Sequence, residues 1–436
     1  MVYLIHKLDE WFPSPEEYTP GFTKEKWLEL LNNKNIIGPV WGGVLAAFYE
    51  ARGAATCTQI AKNYNTIAPS ISGMCTALAR RIHKETQCPL YEDQNEKKRY
   101  WTIMFQGKAA ATKAEGVFIW KLRQELYDAL TEFDIMRYRW KSGDLGEPYT
   151  PTDLLNEVFM TDEEYNKLAG LLRNKKNVIL QGAPGVGKTF TAKRLAYSIM
   201  GEKDPSRVAF VQFHQSYSYE DFIMGYRPAE SGDFKLTNGV FYEFCKTAAD
   251  DPDRDYFFII DEINRGNLSK IFGELLMLIE SDKRGPDHSI DLVYGARDFY
   301  VPENLYIIGM MNTADRSLAM IDYALRRRFG FYSMKPAFEN AGKNGFADYM
   351  AKVYCDLYKS AVAQVVSLDQ TIRKELGEGF EIGHSYFSPE NESVINDDWV
   401  RNVIEFELLP LIDEYCFDDK EKGGNWSAGL RGLLVK

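Results

Sequence analysis

The amino-acid sequence of 436 residues predicts an α/β protein, in which a parallel sheet flanked by helices follows a smaller α+β domain and precedes a helical region. Between residues 177 and 332, apolar segments of strand length alternate with helical patterns, which is typical of a parallel sheet. A stretch at 141–148 that contains Gly, Ser and Pro separates this part from the residues before it. The strand candidates are 177–180, 208–213, 256–260 and 305–310.

Composition indicates a globular protein of the cytoplasm. Apolar residues make up 45% of the chain and charged residues 26%, which is ordinary for a globular protein. No apolar stretch reaches the length of a membrane span, and Asp9 and Glu10 lie too early for a secretory leader. The six cysteines are scattered without a CxxC pair. They are therefore predicted to be reduced and buried, in a cytoplasmic protein without membrane contact.

Charge is distributed unevenly along the chain. The whole protein carries a net charge of −11, yet residues 1–150 carry a net of +1, from 19 Lys/Arg and 18 Asp/Glu. Within that part, residues 51–113 hold 10 basic and 4 acidic side chains. A basic segment in an acidic protein suggests contact with a polyanion, although a solvated surface explains such clusters about as often.

A phosphate-binding loop follows the first strand candidate. Residues 182–189 read GAPGVGKT, with a strand pattern before them and a helical pattern, 190–200, after them. Glycines let backbone N–H groups turn towards phosphate oxygens, and the helix N-terminus adds positive potential. Lys188 is expected to reach the β- and γ-phosphates, and the Thr189 hydroxyl to bind Mg²⁺. The predicted nucleotide-binding residues are Gly182, Ala183, Pro184, Gly185, Val186, Gly187, Lys188 and Thr189.

Two further strand candidates end in polar residues. The segment 256–260 runs into Asp261 and Glu262. Asp261 is predicted to join the Mg²⁺ shell and Glu262 to polarise the attacking water. The segment 305–310 runs into NTADRS at 312–317, where Asn312 is predicted to hold the water or a γ-oxygen, and Asp315 and Arg316 to orient it. Capping of the next helix, for example by Asp315, is an alternative that requires only one of these side chains.

Three consecutive arginines follow at 326–328. In ring-forming ATPases, such a run supplies an arginine finger to the nucleotide of the next subunit, and a finger accelerates hydrolysis by roughly 10³–10⁵. Arg326 and Arg327 are the predicted catalytic members. The alternative is a helix C-terminus that carries cations.

Together, these motifs resemble an AAA+ ATPase domain, and more narrowly the McrB family of modification-dependent (type IV) restriction motors. The resemblance covers about residues 150–420 and rests on five segments. They are GAPGVGKT (182–189), DEINRGNLSKIFGELLMLIE (261–280), NTADRS (312–317), DYALRRRF (322–329) and IGHSYF (382–387).

The resemblance implies a three-layer α/β/α P-loop domain with a C-terminal helical lid. It divides the chain into a target-recognition domain (1–148), a nucleotide-binding core (149–335) and a lid (336–436) that contains His384 and Ser385. It implies hexameric rings that hydrolyse GTP rather than ATP, and a separate McrC-type subunit that carries the nuclease. The residues themselves predict a nucleoside triphosphatase without indicating which base it prefers, because no NKxD-type sequence is present. We find no convincing nuclease constellation, since 280–283 (ESDK) reads as a solvated helix end.

The residues before 148 predict a winged-helix-like domain. Residues 56–65 read as a short helix, 66–69 as a turn and 70–82 as a second helix, which is typical of a helix-turn-helix. This second helix is predicted to present Ser70, Ser72, Thr76 and Arg80 outward, to DNA. A hairpin with its tip at 93–98 is the predicted wing, carrying Lys97, Lys98 and Arg99 towards phosphates. Residues 116–123 are predicted to form a further strand, and packing or protein docking is the alternative use of such a domain.

Three functions are consistent with these patterns. The first is a nucleotide-driven restriction motor that binds DNA through its N-terminal domain and acts with a nuclease subunit. The second is a MoxR-like or chaperone-type AAA+ ATPase that remodels a protein partner. The third is a nucleotide-sensing transcription regulator. DNA-stimulated hydrolysis with a strong dependence on salt would favour the first.

Overall fold

The computed structural model describes residues 10–33, 36–93, 97–110, 118–141, 144–228, 233–314, 323–340, 345–389 and 391–435. In this part of the chain, no helix combines the length and the apolar character that crossing a membrane requires. The six cysteines are all buried and free.

The N-terminal domain combines helices with a small antiparallel sheet in the order β1–β5–β4. Trp27, Phe48, Phe105 and Leu126 are among the residues of its hydrophobic core. Its helices are α1 (Lys24–Asn32), α2 (Pro39–Glu50), α3 (Cys57–Asn63), α4 (Ala68–Thr86) and α5 (Gln124–Glu132). Its strands are β1 (Ala54–Thr56), β2 (Tyr91–Glu92), β3 (Lys98–Arg99), β4 (Phe105–Ala109) and β5 (Phe118–Leu122).

The predicted helix-turn-helix corresponds to α3 and α4. Helix α3 begins with a capping box, in which Thr56 Oγ1 accepts from Gln59 N at 3.1 Å and Gln59 Oε1 accepts from Thr56 N at 2.9 Å. Helix α4 begins at Ala68, two residues earlier than predicted. Pro69 is compatible with a first helical turn, because its fixed φ suits that position and its missing N–H has no partner to lose there.

The predicted hairpin forms, but it is not the wing of this domain. Among the described residues, β2 and β3 form a two-stranded sheet of their own, and residues 100–103 form a 3₁₀ turn instead of continuing the strand. The turn lets Trp101 pack against Trp120, with ring centroids 5.4 Å apart. The strand predicted at 116–123 is β5, which pairs with β1 and β4. The hairpin β4–β5 therefore occupies the position of the wing in this domain.

The three-layer α/β/α part extends from Glu147 to Ser333. Its sheet has the order β14–β7–β13–β12–β9 with every pair parallel. The prediction included its strands except β14, which is short. The helices are α6 (Pro151–Glu157), α7 (Asp162–Lys175), α8 (Lys188–Met200), α9 (Tyr219–Phe222), α10 (Val240–Ala249), α11 (Leu268–Phe272), α12 (Leu275–Leu278) and α13 (Tyr323–Arg326). The strands are β6 (Glu147–Pro148), β7 (Asn177–Gly182), β8 (Glu202–Lys203), β9 (Val208–Gln212), β10 (Met224–Pro228), β11 (Phe234–Asn238), β12 (Tyr256–Asp261), β13 (Leu305–Asn312) and β14 (Gly330–Ser333).

Both faces of this sheet are buried. Phe257 and Ile259 of β12 pack on the face that carries α7 and α8, while Phe258 and Ile260 pack on the opposite face with α10 and α11. Strands that are buried on both faces read as continuous apolar runs, which is why the sequence located them. The parallel arrangement brings the carboxyl ends of β7, β12 and β13 to one edge.

A helical lid follows the sheet and has its own core around Tyr358, Val365 and Ile404. A short helix, α14, precedes α15, and a π-helical turn at Ile404–Leu408 lies between α16 and α17. The helices are α14 (Phe346–Lys352), α15 (Asp356–Glu375), α16 (Asp397–Val403), α17 (Leu409–Tyr415) and α18 (Lys420–Leu434).

Helix α4 packs at the amino-terminal edge of the large sheet, which corrects the prediction that Ser70 and Arg80 face DNA. Ser72 and Thr76 are partly exposed, and their hydroxyls donate to backbone oxygens of the same helix. Ser70, expected outward, is only 4% exposed, and its hydroxyl hydrogen-bonds Glu202. Thr66 Oγ1 donates to the same carboxylate at 3.1 Å. Arg80 lies 3.7 Å from Asp253. The neighbouring domain therefore occupies this face of the helix.

Candidate active site

The residues of the predicted phosphate loop lie together between β7 and α8. Gly185 and Gly187 both have φ of +77°, which a residue with a side chain rarely adopts. This backbone path makes an anion-binding cradle at the start of α8. The loop consists of Gly182, Ala183, Pro184, Gly185, Val186, Gly187, Lys188 and Thr189.

Lys188 is buried and held by oxygen acceptors. Its Nζ donates to the carbonyl oxygens of Gly182 at 3.0 Å and Ala183 at 2.9 Å, and to Asn312 Oδ1 at 2.6 Å. Burial lowers the pKa of Lys188 to about 8, and the carboxylates of Glu262 and Asp261 oppose this shift. The ammonium group therefore stays protonated at neutral pH and has partners that phosphate oxygens can replace.

Asn312 connects the lysine to the predicted general base. Strand β13 pairs with β7 so that Asn312 lies opposite Gly182. Its Oδ1 accepts from Lys188, and its Nδ2 donates to Glu262 Oε1 at 2.6 Å. Glu262 has φ of +49°, an uncommon conformation for a residue with a side chain and one that often marks a functional position. The three side chains form one hydrogen-bonded chain across three strand ends.

Thr189 and Asp261 suit the Mg²⁺ that a nucleotide would bring. The Asp261 carboxylate follows β12, and its Oδ1 accepts from Glu262 N at 3.0 Å. Thr189 is exposed in the first turn of α8. A hydroxyl and a carboxylate are the hard oxygen ligands that Mg²⁺ prefers, with phosphate oxygens and water completing its shell.

The arginine run divides into one inward and two outward side chains. The Arg328 side chain is 10% exposed and lies 2.9 Å from Glu280. The Arg327 side chain is 70% exposed, although it also reaches Glu280 at 3.4 Å, and Arg326 is exposed. Glu280, part of the segment 280–283, is thus the partner of structural ion pairs. Asp315 and Arg316, also predicted for the site, lie outside the described residues.

The lid contacts the phosphate loop directly. Gly383 N donates to Pro184 O at 3.1 Å, and Ser385 N donates to Gly185 O at 2.9 Å. His384 Nδ1 accepts from Ala337 N at 3.1 Å, so its proton lies on Nε2, towards Gly187. Burial lowers the pKa of His384 to about 4, so the imidazole is neutral.

Comparison with known families decides which type of module this is. The family "AAA domain (dynein-related subfamily)" matches residues 177–329, and the family "McrB, alpha-helical lid domain" matches residues 361–424. The chain contains a McrB-type AAA domain with a McrB lid. The first match covers four of the five strands of the large sheet, with the phosphate loop, Glu262 and Asn312. The second covers part of the lid, from within α15 to within α18.

Two curated proteins share the McrB-type region. The chain is 50% identical over 294 residues to the "Type IV methyl-directed restriction enzyme EcoKMcrB subunit" of Escherichia coli (strain K12), covering 66% of this chain and 64% of that protein. It is 28% identical over 217 residues to the "Type II restriction enzyme BsuMI component YdiS" of Bacillus subtilis (strain 168), covering 41% and 63%. The chain thus spans just under two thirds of the length of each relative.

Among solved structures, a putative ATPase from Cytophaga hutchinsonii ATCC 33406 aligns with a TM-score of 0.28 and 12% identity. The alignment covers 65% of this chain and 82% of the chain of that ATPase. Agreement this low supports no conclusion about the McrB-type module.

Two residues of the McrB-type module enter the site without having been singled out from the sequence. Arg265 Nε lies 3.2 Å from Glu262 Oε2. Thr313 N donates to Gly182 O at 3.2 Å, and its hydroxyl donates to Gly379 O at 3.1 Å. Thr313 therefore links the phosphate loop to the lid. Both residues belong to motifs that were recognised, DEINR and NTADRS, but nothing in the sequence indicates which partner each contacts.

Proposed function

We propose that this protein is the nucleotide-hydrolysing motor subunit of a modification-dependent DNA restriction system. It hydrolyses GTP in preference to ATP, binds DNA through its N-terminal domain and acts in the cytoplasm with a separate McrC-like nuclease subunit. The observation that carries the proposal is the 50% identity to a restriction subunit over 294 residues. That protein is described as methyl-directed, which supports DNA as the target.

Hydrolysis is assigned to the chain of side chains at the strand ends. An incoming γ-phosphate takes over the Lys188 ammonium, which releases Asn312 Oδ1 from its 2.6 Å hydrogen bond. Asn312 then helps to position the attacking water, and Glu262, which Asn312 already contacts, accepts a proton from it. Mg²⁺ held by Thr189 and Asp261 would neutralise developing charge on the phosphate oxygens. Asn312 Oδ1 is therefore available to the water only once a nucleotide is bound.

A ring explains the exposed arginines. Arg326 and Arg327 point away from this subunit's interior, whereas Arg328 is anchored near Glu280. In a closed ring, most simply a hexamer, either of the exposed guanidinium groups reaches the nucleotide of the neighbouring subunit. Asp315 and Arg316 remain proposed members of the same site, as orienting groups.

Phosphate release from the purified full-length chain tests the proposal. GTP and ATP are compared at equal concentrations, with and without duplex DNA, and the Lys188→Ala variant gives the background from contaminating enzymes. We expect faster release from GTP and a further increase with DNA that weakens as salt rises. Preference for ATP without a response to DNA would contradict the proposal and favour the remodelling of a protein partner.

A further inference from the structure

Helix α4 is the element that a helix-turn-helix normally offers to DNA, and here the side that carries Ser70, Gly73 and Lys84 is occupied. Ser70 and Thr66 bind Glu202, and the Arg254 side chain packs against Gly73, where a Cβ would lie 2.7 Å from it. Further along, Lys84 Nζ lies 3.3 Å from Asp250 Oδ1. Acidic side chains of the AAA domain thus take the place of phosphates along this face of α4.

The small sheet of the same domain has one face that is mostly polar and does not pack against the hydrophobic core. Gln106 and Lys108 of β4 lie opposite Lys121 and Ile119 of β5. Directly opposed residues and those two apart share a face, so these four side chains lie together. The other face, which includes Phe105, Trp120 and Leu122, belongs to the hydrophobic core.

Trp11 adds an aromatic ring to this outer face. The ammonium group of Lys121 lies 5.2 Å from the centre of the ring, and that of Lys108 lies 5.9 Å from it. All three side chains are partly exposed. Two cations beside an indole match the chemistry that binds phosphodiester chains, where cations contact phosphates and aromatic rings pack on sugars or bases.

The small hairpin β2–β3 lies beside the same edge of the sheet. Phe12 pairs with Gly107 of β4 through two backbone hydrogen bonds, of 2.8 and 2.6 Å. The Phe12 ring contacts Tyr91 of β2, with centroids 5.1 Å apart. Because successive residues of an extended segment point to opposite faces, the Phe12 ring and the hairpin that it contacts lie on the side away from Trp11. Lys98 lies opposite the exposed Glu92 in this hairpin, so its charge is partly balanced there.

We propose that the backbone of duplex DNA binds to the outer face of the β4–β5 hairpin, where Trp11 lies, and not to α4. The contacting groups are Lys108 and Lys121, with the Trp11 ring beside both. Charge complementarity argues for DNA as the occupant, because Lys108 and Lys121 place two positive charges beside the Trp11 ring in a protein whose net charge is −11. This inference rests on the proposed function, in which the N-terminal domain binds DNA.

Fluorescence anisotropy with a labelled duplex tests this surface in the full-length protein. The test variant is Lys108→Gln with Lys121→Gln. Its matched control is Lys26→Gln with Lys167→Gln, which removes the same charge from exposed helical positions elsewhere. A third variant, Arg80→Ala with Lys84→Ala, probes α4. Affinities are measured over a range of salt concentrations, and basal nucleotide hydrolysis confirms that each variant is folded.

We expect the Lys108/Lys121 variant to bind roughly ten- to a hundredfold more weakly at about 0.1 M salt, with a salt slope smaller by about 2. The control and the α4 variant should bind like the parent protein. Loss of binding in the α4 variant alone would overturn this inference and leave DNA binding itself intact. A parent protein that binds no DNA at all would overturn the proposed function as well.

Discussion

The two edges of the large sheet are organised by different means. At the carboxyl edge, Lys188, Asn312 and Glu262 meet because three parallel strands end side by side. At the amino edge, Glu202 and the residues 250–254 meet α4 because another domain is docked there. The first arrangement follows from strand topology and the second from a tertiary contact. Polar residues that look alike in sequence thus form the proposed catalytic site at one edge and a contact between domains at the other.

Removal of the proposed general base at the carboxyl edge is expected to have the largest effect. We expect Glu262→Gln to lower turnover by about 10²–10⁴, because the amide cannot accept the proton of the water. Nucleotide binding should persist, since Lys188 and the loop remain, and rings should be stabilised. Phosphate-release assays measure turnover, titration with a fluorescent nucleotide measures binding, and size-exclusion chromatography measures the fraction of protein in rings. Glu163→Gln, on the exposed side of α7, is the control, and parental turnover in Glu262→Gln would exclude the assigned role.

At the amino edge, we expect Glu202→Ala to lower the free energy of unfolding and to leave the rate of nucleotide hydrolysis unchanged. The Glu202 and Arg207 side chains form an ion pair in which each is 3% exposed, and Glu202 also binds α4 through Ser70. Breaking a buried pair costs about 3–5 kcal/mol, and the lower end applies because Asp204 still holds Arg207 at 2.8 Å. Urea unfolding measures the loss. An effect as small as that of Glu163→Ala, within about 0.5 kcal/mol, would show that the two domains are not docked through Glu202.

A buried carboxyl group in the lid is expected to make the stability of the protein depend on pH. Asp369 Oδ1 accepts from Ile382 N at 2.7 Å, directly before the residues that contact the phosphate loop. Burial raises the pKa of Asp369 to about 8, and Glu381 adds to the shift while Arg373 opposes it. The folded state thus keeps a proton that the unfolded state releases above about pH 4, so this contribution to stability is lost as pH rises from about 4 to 8.

Asp369→Asn removes that titration and retains an acceptor for Ile382. We expect the free energy of unfolding of the variant to exceed that of the parent by a few kcal/mol at pH 8 and by little at pH 4. Melting temperatures measured across this range provide the check. A difference that does not change with pH would mean that Asp369 is ionised in the folded protein.

The smallest effect is expected from the exposed ion pair that also joins the two domains. The Lys84 and Asp250 side chains are 78% and 45% exposed, and such pairs contribute about 0–1 kcal/mol. A double-mutant cycle with Lys84→Ala and Asp250→Ala should therefore give a coupling energy well below the cost of Glu202→Ala. A coupling of several kcal/mol would place the domain attachment at this pair instead of at the buried carboxylate.

Local patterns were sufficient to predict most elements near the active site. The apolar runs 177–180 and 256–260 are strands because both faces of the sheet are covered, and the loop after β7 requires glycine at 185 and 187 for its backbone. The short helix predicted at 56–65 is α3, which begins directly after its capping residue Thr56. The boundaries at 148 and 335, and the roles of the site residues, remain predictions.

The sequence by itself determined the elements, the phosphate loop and which strands end in polar residues, because these depend on periodicity and on backbone requirements of neighbouring residues. Only the tertiary structure decided that Ser70 is buried, that β4–β5 rather than β2–β3 is the wing, and that Arg328 points inward while Arg326 is exposed. Each of these depends on a partner distant in the chain, such as Glu202, β1 or Glu280. A helical pattern shows which residues share a face, but the surface that covers the face is set by the packing of the whole chain.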